Sequence, residues 1–188
     1  MPDPGQDAAG FRRACIDEVR DRVLVNGGRA LVLCTSWALV RELAQALRDV
    51  FALEGLTTLV QGEAPLRDLL RVKREDPTSV LIGTETFWEG IDVPGDALTL
   101  VIVTRFPFAQ PDHPLTRARL KAIEARGGDP FREHSLPEAI LKFRQGFGRL
   151  VRSQTDGGEV VILDPRARTR RYGRSFLEAL PEGIVVDG

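Results

Sequence analysis

The sequence has few of the residues that staple a fold or ligate a metal. Its 188 residues include two cysteines, Cys15 and Cys34, and two histidines, His113 and His134. The cysteines stand at no metal-ligand spacing; one sits in a helical pattern and one ends an apolar run. They read as small buried thiols rather than a redox pair. The histidines lie in a Pro/Gly-rich stretch with no Cys or acidic pair at ligand spacing, so no metal site is expected. A chain of this length buries about two-thirds of its unfolded surface and needs neither disulfide nor metal to hold a core. No apolar run approaches about 18 residues, and no charged-then-apolar pattern opens the chain. Neither a membrane span nor a signal peptide is expected, and a reducing cytoplasm is the expected compartment. Internal repeats and low-complexity tracts are also lacking.

Neither sign of charge dominates. With 26 Lys+Arg against 27 Asp+Glu the net charge is −1, which does not advertise nucleic-acid binding. The distribution differs from the total: between Arg144 and Arg174 eight arginines stand against Asp156, Glu159 and Asp164. Such a cluster is a solvated face or an anion-binding surface, and neighbouring motifs must decide.

What is present is a strand-helix rhythm. "ALVLC" (30–34), "TTLV" (57–60), "SVLI" (79–82), "LTLVIV" (98–103) and "EVVIL" (159–163) are short apolar runs rich in β-branched residues. Continuous rather than alternating apolarity predicts strands covered on both faces, as in a parallel sheet. Helical patterns lie between them, including "SWALVRELAQALRDVFALEG", with Leu39, Leu43, Leu47 and Val50 on one face and a stop at Gly55. Another, nearer the amino end, is "FRRACIDEVRDRVLVNGG", which ends at Asn26-Gly27-Gly28. The expected fold is α/β, a RecA-like three-layer sandwich with a mostly parallel central sheet flanked by helices. The expected organisation is a leader and lead-in helix over 1–26, then one domain over 27–188. A long Pro-rich insertion at 104–137 interrupts the rhythm, and connections of that length are usually functional or mobile. In open parallel sheets, ligands gather at the carboxyl ends of the strands.

Two stretches carry chemistry. "SLPEAILKFRQGFGRLVRS" opens with a Ser135–Glu138 capping box and Pro137 in the first turn. At about 100° per residue, Ile140, Phe143, Phe147, Leu150 and Val151 share one side. Gln145, Arg149 and Arg152 share the other. Gly146 and Gly148 each cost roughly 1 kcal/mol in a helix, which suggests that something approaches the backbone closely. The alternative is a solvated basic face. The second stretch, "GTETFWEGIDVPG" (83–95), follows a strand with two threonines, two acids, a Gly-Ile-Asp and a Pro-Gly stop.

Together these resemble superfamily 2 helicase motifs. "QGFGRLVRS" looks like motif VI, Q-x-x-G-R-x-x-R; "GTETFWEGIDVPG" looks like motif V; "LVLCTSW" is similar to motif IV. The variants "FWEGIDVPG", "RFPFAQPDHPL" and "QGFGRLVRSQTDGGEVVILDPR" resemble the DinG/XPD branch of DNA helicases, over about residues 27–180. Missing are a G-x-x-x-x-G-K-[ST] phosphate loop, a D-E-x-[HD] box and the four cysteines of an iron–sulfur cluster. In that family those parts belong to the first motor domain. The resemblance therefore implies the second RecA-like motor domain alone, working 5′ to 3′ with a first domain that holds most of ATP and its Mg.

The resemblance also implies roles. Arg152 would be the arginine finger on the γ-phosphate, Arg149 would stabilise phosphate charge, and Gln145 would meet the phosphate or the attacking water. Glu89, Gly90 and Asp92 would face the nucleotide; Asp92 is otherwise a turn acid ahead of Val93-Pro94-Gly95. Thr84 and Thr86 would contact DNA phosphate, or else are strand-end hydroxyls that cap backbone groups. Phe87 and Trp88 are core or stacking groups, with at least one in the core. Thr35, Ser36 and Gln61 would add contacts to single-stranded DNA, with Ser36 also a fitting helix N-cap. Arg105, Phe106 and Phe108 would line the DNA path or form a hydrophobic lid. Two other readings stand beside this one. One is a stand-alone, non-catalytic module that docks on DNA or on another helicase. The other is an unrelated doubly wound nucleotide-binding enzyme, which would need a glycine-rich turn where "TSWALV" stands.

Overall fold

The computed structural model describes residues 1–84, 87, 97–109, 113–147 and 158–180. Five strands, β1 (Ala30–Cys34), β2 (Thr58–Val60), β3 (Val80–Thr84), β4 (Leu100–Val103) and β5 (Glu159–Ile162), form one sheet in the order β2-β3-β1-β4-β5. Every pairing is parallel, with Ala30 opposite both Val80 and Leu100. All five expected strands are found. β3 runs two residues beyond its apolar run, to Thr84, where it still pairs with Cys34 of β1.

The side chains of each strand divide between two faces. On one, Val32, Ile82 and Ile102 meet Phe11, Cys15, Val19 and Val23 of α1 (Ala8–Asn26) and Leu39, Leu43, Leu47 and Phe51 of α2 (Trp37–Leu53). On the other, Leu31, Leu81, Val101 and Val103 meet Leu69 and Leu70 of α3 (Leu66–Glu75). That second face is completed by two more helices, which follow α4 (Pro114–Ala125) in the chain. They are α5 (Leu136–Phe147), with Ala139 and Phe143, and, beyond the four-residue α6 (Arg166–Thr169), α7 (Gly173–Glu178), with Phe176. Two cores, one on each face, make the expected three layers, and each fully buried Leu or Phe contributes about 1.5–3 kcal/mol. The inward face of α2 is turned slightly from the expected one: Phe51 is fully buried while Val50 is only partly so.

Helix ends follow local chemistry. Asp7 caps α1 by accepting the Gly10 amide at 2.8 Å, and Gly27 ends it in the left-handed conformation at φ 64°. The long segment between β4 and β5 contains α4, which buries no residue, and a π-helical turn, Phe131–Ser135. That turn corrects the expected capping box. The chain is already helical from Phe131 into α5, so Ser135 lies inside a helix, not at its start. Asp129 caps instead, accepting the amides of Phe131 and Arg132 at 3.0 and 3.2 Å, and Glu138 lies 3.2 Å from His134. Among the described residues, no helix is long and apolar enough to cross a membrane.

Candidate functional site

Because every strand is parallel, the segments leaving β1, β2, β3, β4 and β5 emerge on one edge. Thr35 and Ser36 leave β1, Gln61 and Gly62 leave β2, Thr84 ends β3, Arg105 leaves β4, and Asp164 follows β5. The sheet thus brings together five of the six candidate DNA contacts. Thr86 lies outside the described residues, as do Trp88, Glu89, Gly90, Asp92, Arg149 and Arg152. Gln145 is exposed near the end of α5.

Ser36 is the N-cap of α2, with extended backbone and its Oγ accepting the Leu39 amide at 3.3 Å. Two strands away, at the end of β2, Gln61 reaches across to β3. Its Oε1 accepts the Thr84 backbone N–H at 2.6 Å and the Thr84 hydroxyl at 3.0 Å. The alternative that the sequence leaves open for Thr84 is a hydroxyl capping a backbone group; this hydroxyl bond goes to a side chain, that of Gln61. Gly83 is required between them. A Cβ there would fall 2.4 Å from the Phe87 ring and 2.8 Å from Gln61 Oε1. Phe87 is buried in the core and closes this corner.

At the next turn, Gly62 holds φ 92°, where residues with a Cβ are strained. The ring of Trp37, the first residue of α2, lies against it: a Cβ on Gly62 would sit 3.4 Å from Cζ3 and 3.6 Å from Cη2. Trp37 nonetheless remains 46% exposed. A groove of about 500 Å³ opens beyond it, walled by α2 and by the turn after β2. An Arg48–Glu63 ion pair of 2.5 Å bridges the two walls.

The β4–β5 side of the edge is built differently. Arg105 packs its guanidinium over the Phe11 ring of α1, 5.9 Å from the centroid. Phe106 is buried, stacked on Phe176 at 3.8 Å and edge-on to Phe143 at 5.7 Å. Its backbone N–H donates to Asp164 Oδ2 at 2.9 Å. The Asp164 carboxylate is fully buried and receives Arg166 Nε at 2.8 Å and a second guanidinium nitrogen at 2.5 Å. Burial pulls the Arg166 pKa down, but the hydrogen bonds and charge of Asp164 outweigh it and the net shift is upward. The guanidinium also covers Phe108, 5.2 Å from that centroid. Of the two readings of the "RFPF" segment, the hydrophobic lid holds for Phe106, and Arg105 remains half-buried at the rim.

The stretches that resemble helicase motifs run through Trp37, Asp164 and Arg166, but the resemblance assigns these three residues no role. Trp37 carries one local signal, a bulky aromatic at a helix's first turn, where the inward face has not begun. Asp164 and Arg166 belong to a D-P-R triplet whose meaning depends on Phe106, 58 positions away. Among the described residues, no cluster of His, Cys, Asp and Glu could hold a metal ion.

A RecA-like α/β domain is the class to which this parallel sheet and its flanking helices belong. The chain belongs to the helicase C-terminal domain family, which matches residues 20–183. Curated relatives include the ATP-dependent DNA helicase YoaA of Haemophilus influenzae, 46% identical over 83% of this chain and 24% of the relative. YoaA of Escherichia coli is 42% identical over 95% of this chain and 28% of the relative. A protein named 3′-5′ exonuclease DinG, from Bacillus subtilis, is 44% identical over 85% of this chain and 17% of its own length. The chain thus spans only 17–28% of these relatives. The family that the sequence resembles is therefore the family to which the chain belongs. Among solved structures, domain 2 of the DEAD-box helicase Mss116p, bound to an RNA duplex, has a TM-score of 0.55. It is 15% identical over 91% of this chain and 56% of that one. The DUF1998 helicase MrfA, bound to DNA and AMPPNP, has 0.58 at 14% identity, over 94% and 22%. At such low identities the structural likeness shows the fold alone.

Proposed function

We propose that this chain is the second motor domain of an ATP-dependent DNA helicase that moves 5′ to 3′ on single-stranded DNA. One observation supports the reading: Ser36, Gln61, Thr84 and Arg105, chosen at the ends of apolar strands and in motif-like stretches, lie on a single edge of the sheet. That edge is also where the motif V stretch departs, directly after Thr84. Ser36 and the amino end of α2 suit a phosphate, since free amides and the helix dipole both favour an anion. Thr35, Gln61, Thr86 and Arg105 extend the track. Thr84 acts on the strand through Gln61, because its hydroxyl proton is already given to that side chain.

The nucleotide lies on the other side of the motif V stretch in this reading. A first helicase domain supplies the phosphate loop and the Mg, and Glu89, Gly90 and Asp92 face the bound ATP across the cleft. Arg152 is the finger on the γ-phosphate, Arg149 offsets phosphate charge, and Gln145 meets the phosphate or the attacking water. A guanidinium suits the finger because it stays charged and presents a planar fork of donors. ATP closes the cleft, hydrolysis opens it, and each cycle shifts this domain's grip on the strand.

The test is Arg152→Ala in the intact protein that contains this chain and the first domain. DNA-stimulated hydrolysis should fall by about 10³–10⁵-fold, the span assigned to such a finger, with ATP binding retained in equilibrium titration. Unchanged turnover would remove Arg152 from the role.

A further inference from the structure

We infer that Trp37 is a stacking platform for one base of the single strand, and that the groove beyond it is the seat of that base. This rests on the DNA-binding reading above and adds to it a mode of contact, base stacking, at the residue that ends the motif IV-like stretch.

The first argument is exposure. Trp37 sits at the start of α2, ahead of the helix's inward residues Leu39, Val40 and Leu43. Its ring packs on Gly62 and is otherwise 46% open to water. An indole is the side chain with most to gain from covering an open face, and a flat aromatic base covers it without needing any particular sequence. The surface beneath the ring suits such a platform. Gly62 carries no side chain, so the indole lies against backbone at a turn whose φ of 92° favours glycine.

The second argument is the lining. The groove has apolar walls at Val40, Ala44 and Val60 and room for a heterocycle, about 500 Å³. Arg41, one helical turn past Trp37, is exposed and has no ion-pair partner among the described residues. A stacking ring with an unpaired guanidinium one turn away is the combination that holds a base and its phosphate together in single-strand grooves. The Arg48–Glu63 ion pair spans the groove from α2 to the turn after β2 and bounds it at that end.

The third argument is continuity. Ser36 immediately precedes Trp37, and Gln61 both lines the groove and grips Thr84. Ser36 and Gln61 are the chain neighbours of Trp37 and of Gly62, so a strand that follows the candidate contacts from Gln61 to Ser36 passes the ring packed on Gly62. Trp37 is not buried with Leu39 and Leu43; its ring lies against Gly62 with an open face.

The experiment uses the intact protein and two fluorescein-labelled oligodeoxythymidylates of one length. One carries all its bases and the other is abasic tetrahydrofuran at every position. Binding is read by anisotropy, with wild type, Trp37→Ala, Trp37→Leu and Trp37→Phe. On the base-bearing strand Ala and Leu should bind about 5- to 150-fold more weakly, the span for loss of one stacked base, while Phe stays within a few-fold of wild type. On the abasic strand the variants should be indistinguishable from wild type. Leu retains the apolar contact with Gly62, so its loss of affinity separates stacking from fold damage should Ala melt early. Equal weakening on both strands, or no weakening on the base-bearing one, overturns the stacking role and leaves the helicase reading intact. Wild type that binds neither strand overturns both.

Discussion

Two thiols give a sharp test at the scale of single residues. Cys15 and Cys34 are both buried, and burial pushes each thiol up to about 12 from its ordinary 9. The thiolate is the nucleophile. Neither cysteine should therefore react with iodoacetamide at pH 8 in the folded chain, and both should react in denaturant; mass spectrometry reads the difference. The same shifts set an alkaline limit. Unfolded thiols ionise from about pH 9 while folded ones do not, so their contribution to stability is complete below 9 and is lost as pH rises towards 12. Lys73 acts with the opposite sign. It is buried, donates to the carbonyls of Pro77 and Ser79 at 3.0 and 2.5 Å, and is drawn down from 10.5 to about 8 by burial. Its folded form sheds a proton first, so stability gains as pH rises from about 8. The urea midpoint should therefore climb slightly between pH 8 and 9, then fall once the two thiols outnumber the one amine. The buried thiols are legible in the sequence, because each sits in an apolar pattern. Lys73 is not: nothing local distinguishes it from a solvated lysine until the 76–79 turn folds over its amine.

Among the elements, the β4–β5 side has the most to lose. The Asp164 carboxylate is fully buried and its countercharge is Arg166. Arg166→Ala should cost about 3–5 kcal/mol, the range for stranding a buried charge. Asp164→Asn together with Arg166→Ala should cost less than the single change, because no charge is left stranded; urea denaturation of both variants measures it. The elements themselves are mostly visible in the sequence. Apolar runs bounded by turns mark all five described strands, and the inward face of α2 follows from spacing, apart from Val50 exchanging with Phe51; on α5 the expected Phe143 is buried and Ile140 packs against the same core. The start of α5 is where local pattern misleads. A Ser-x-x-Glu pattern satisfies the local criteria for a cap, yet Asp129 offers its carboxylate further upstream and the chain coils from there. The aromatic lid of Phe106, Phe143 and Phe176 joins three elements far apart in sequence, and distance of that kind leaves no periodic trace.

For the molecule as a whole, the sheet order decides what the chain can do by itself. One parallel edge gathers candidate contacts for a strand, but the sequence carries no phosphate loop. The purified 188-residue chain should therefore show no ATP hydrolysis above a blank, with or without single-stranded DNA. Turnover that copurifies with it through successive columns would contradict the division of labour proposed. Five equally apolar strands allow many orders on paper, so the sequence predicts a parallel sheet without ranking its neighbours. The site is legible where a motif fixes residue types, and illegible where it depends on side chains meeting across strands, as at Trp37 and Gly62.

β2 ends at Val60, two rungs short of its neighbour, and the side chain of Gln61 stands in for the missing backbone carbonyl by taking the Thr84 amide. A carboxamide here works as a spliced rung. Shortening it to Ala would unbutton the sheet at its corner, loosening in one stroke the anchorage of everything that hangs from the tip of β3.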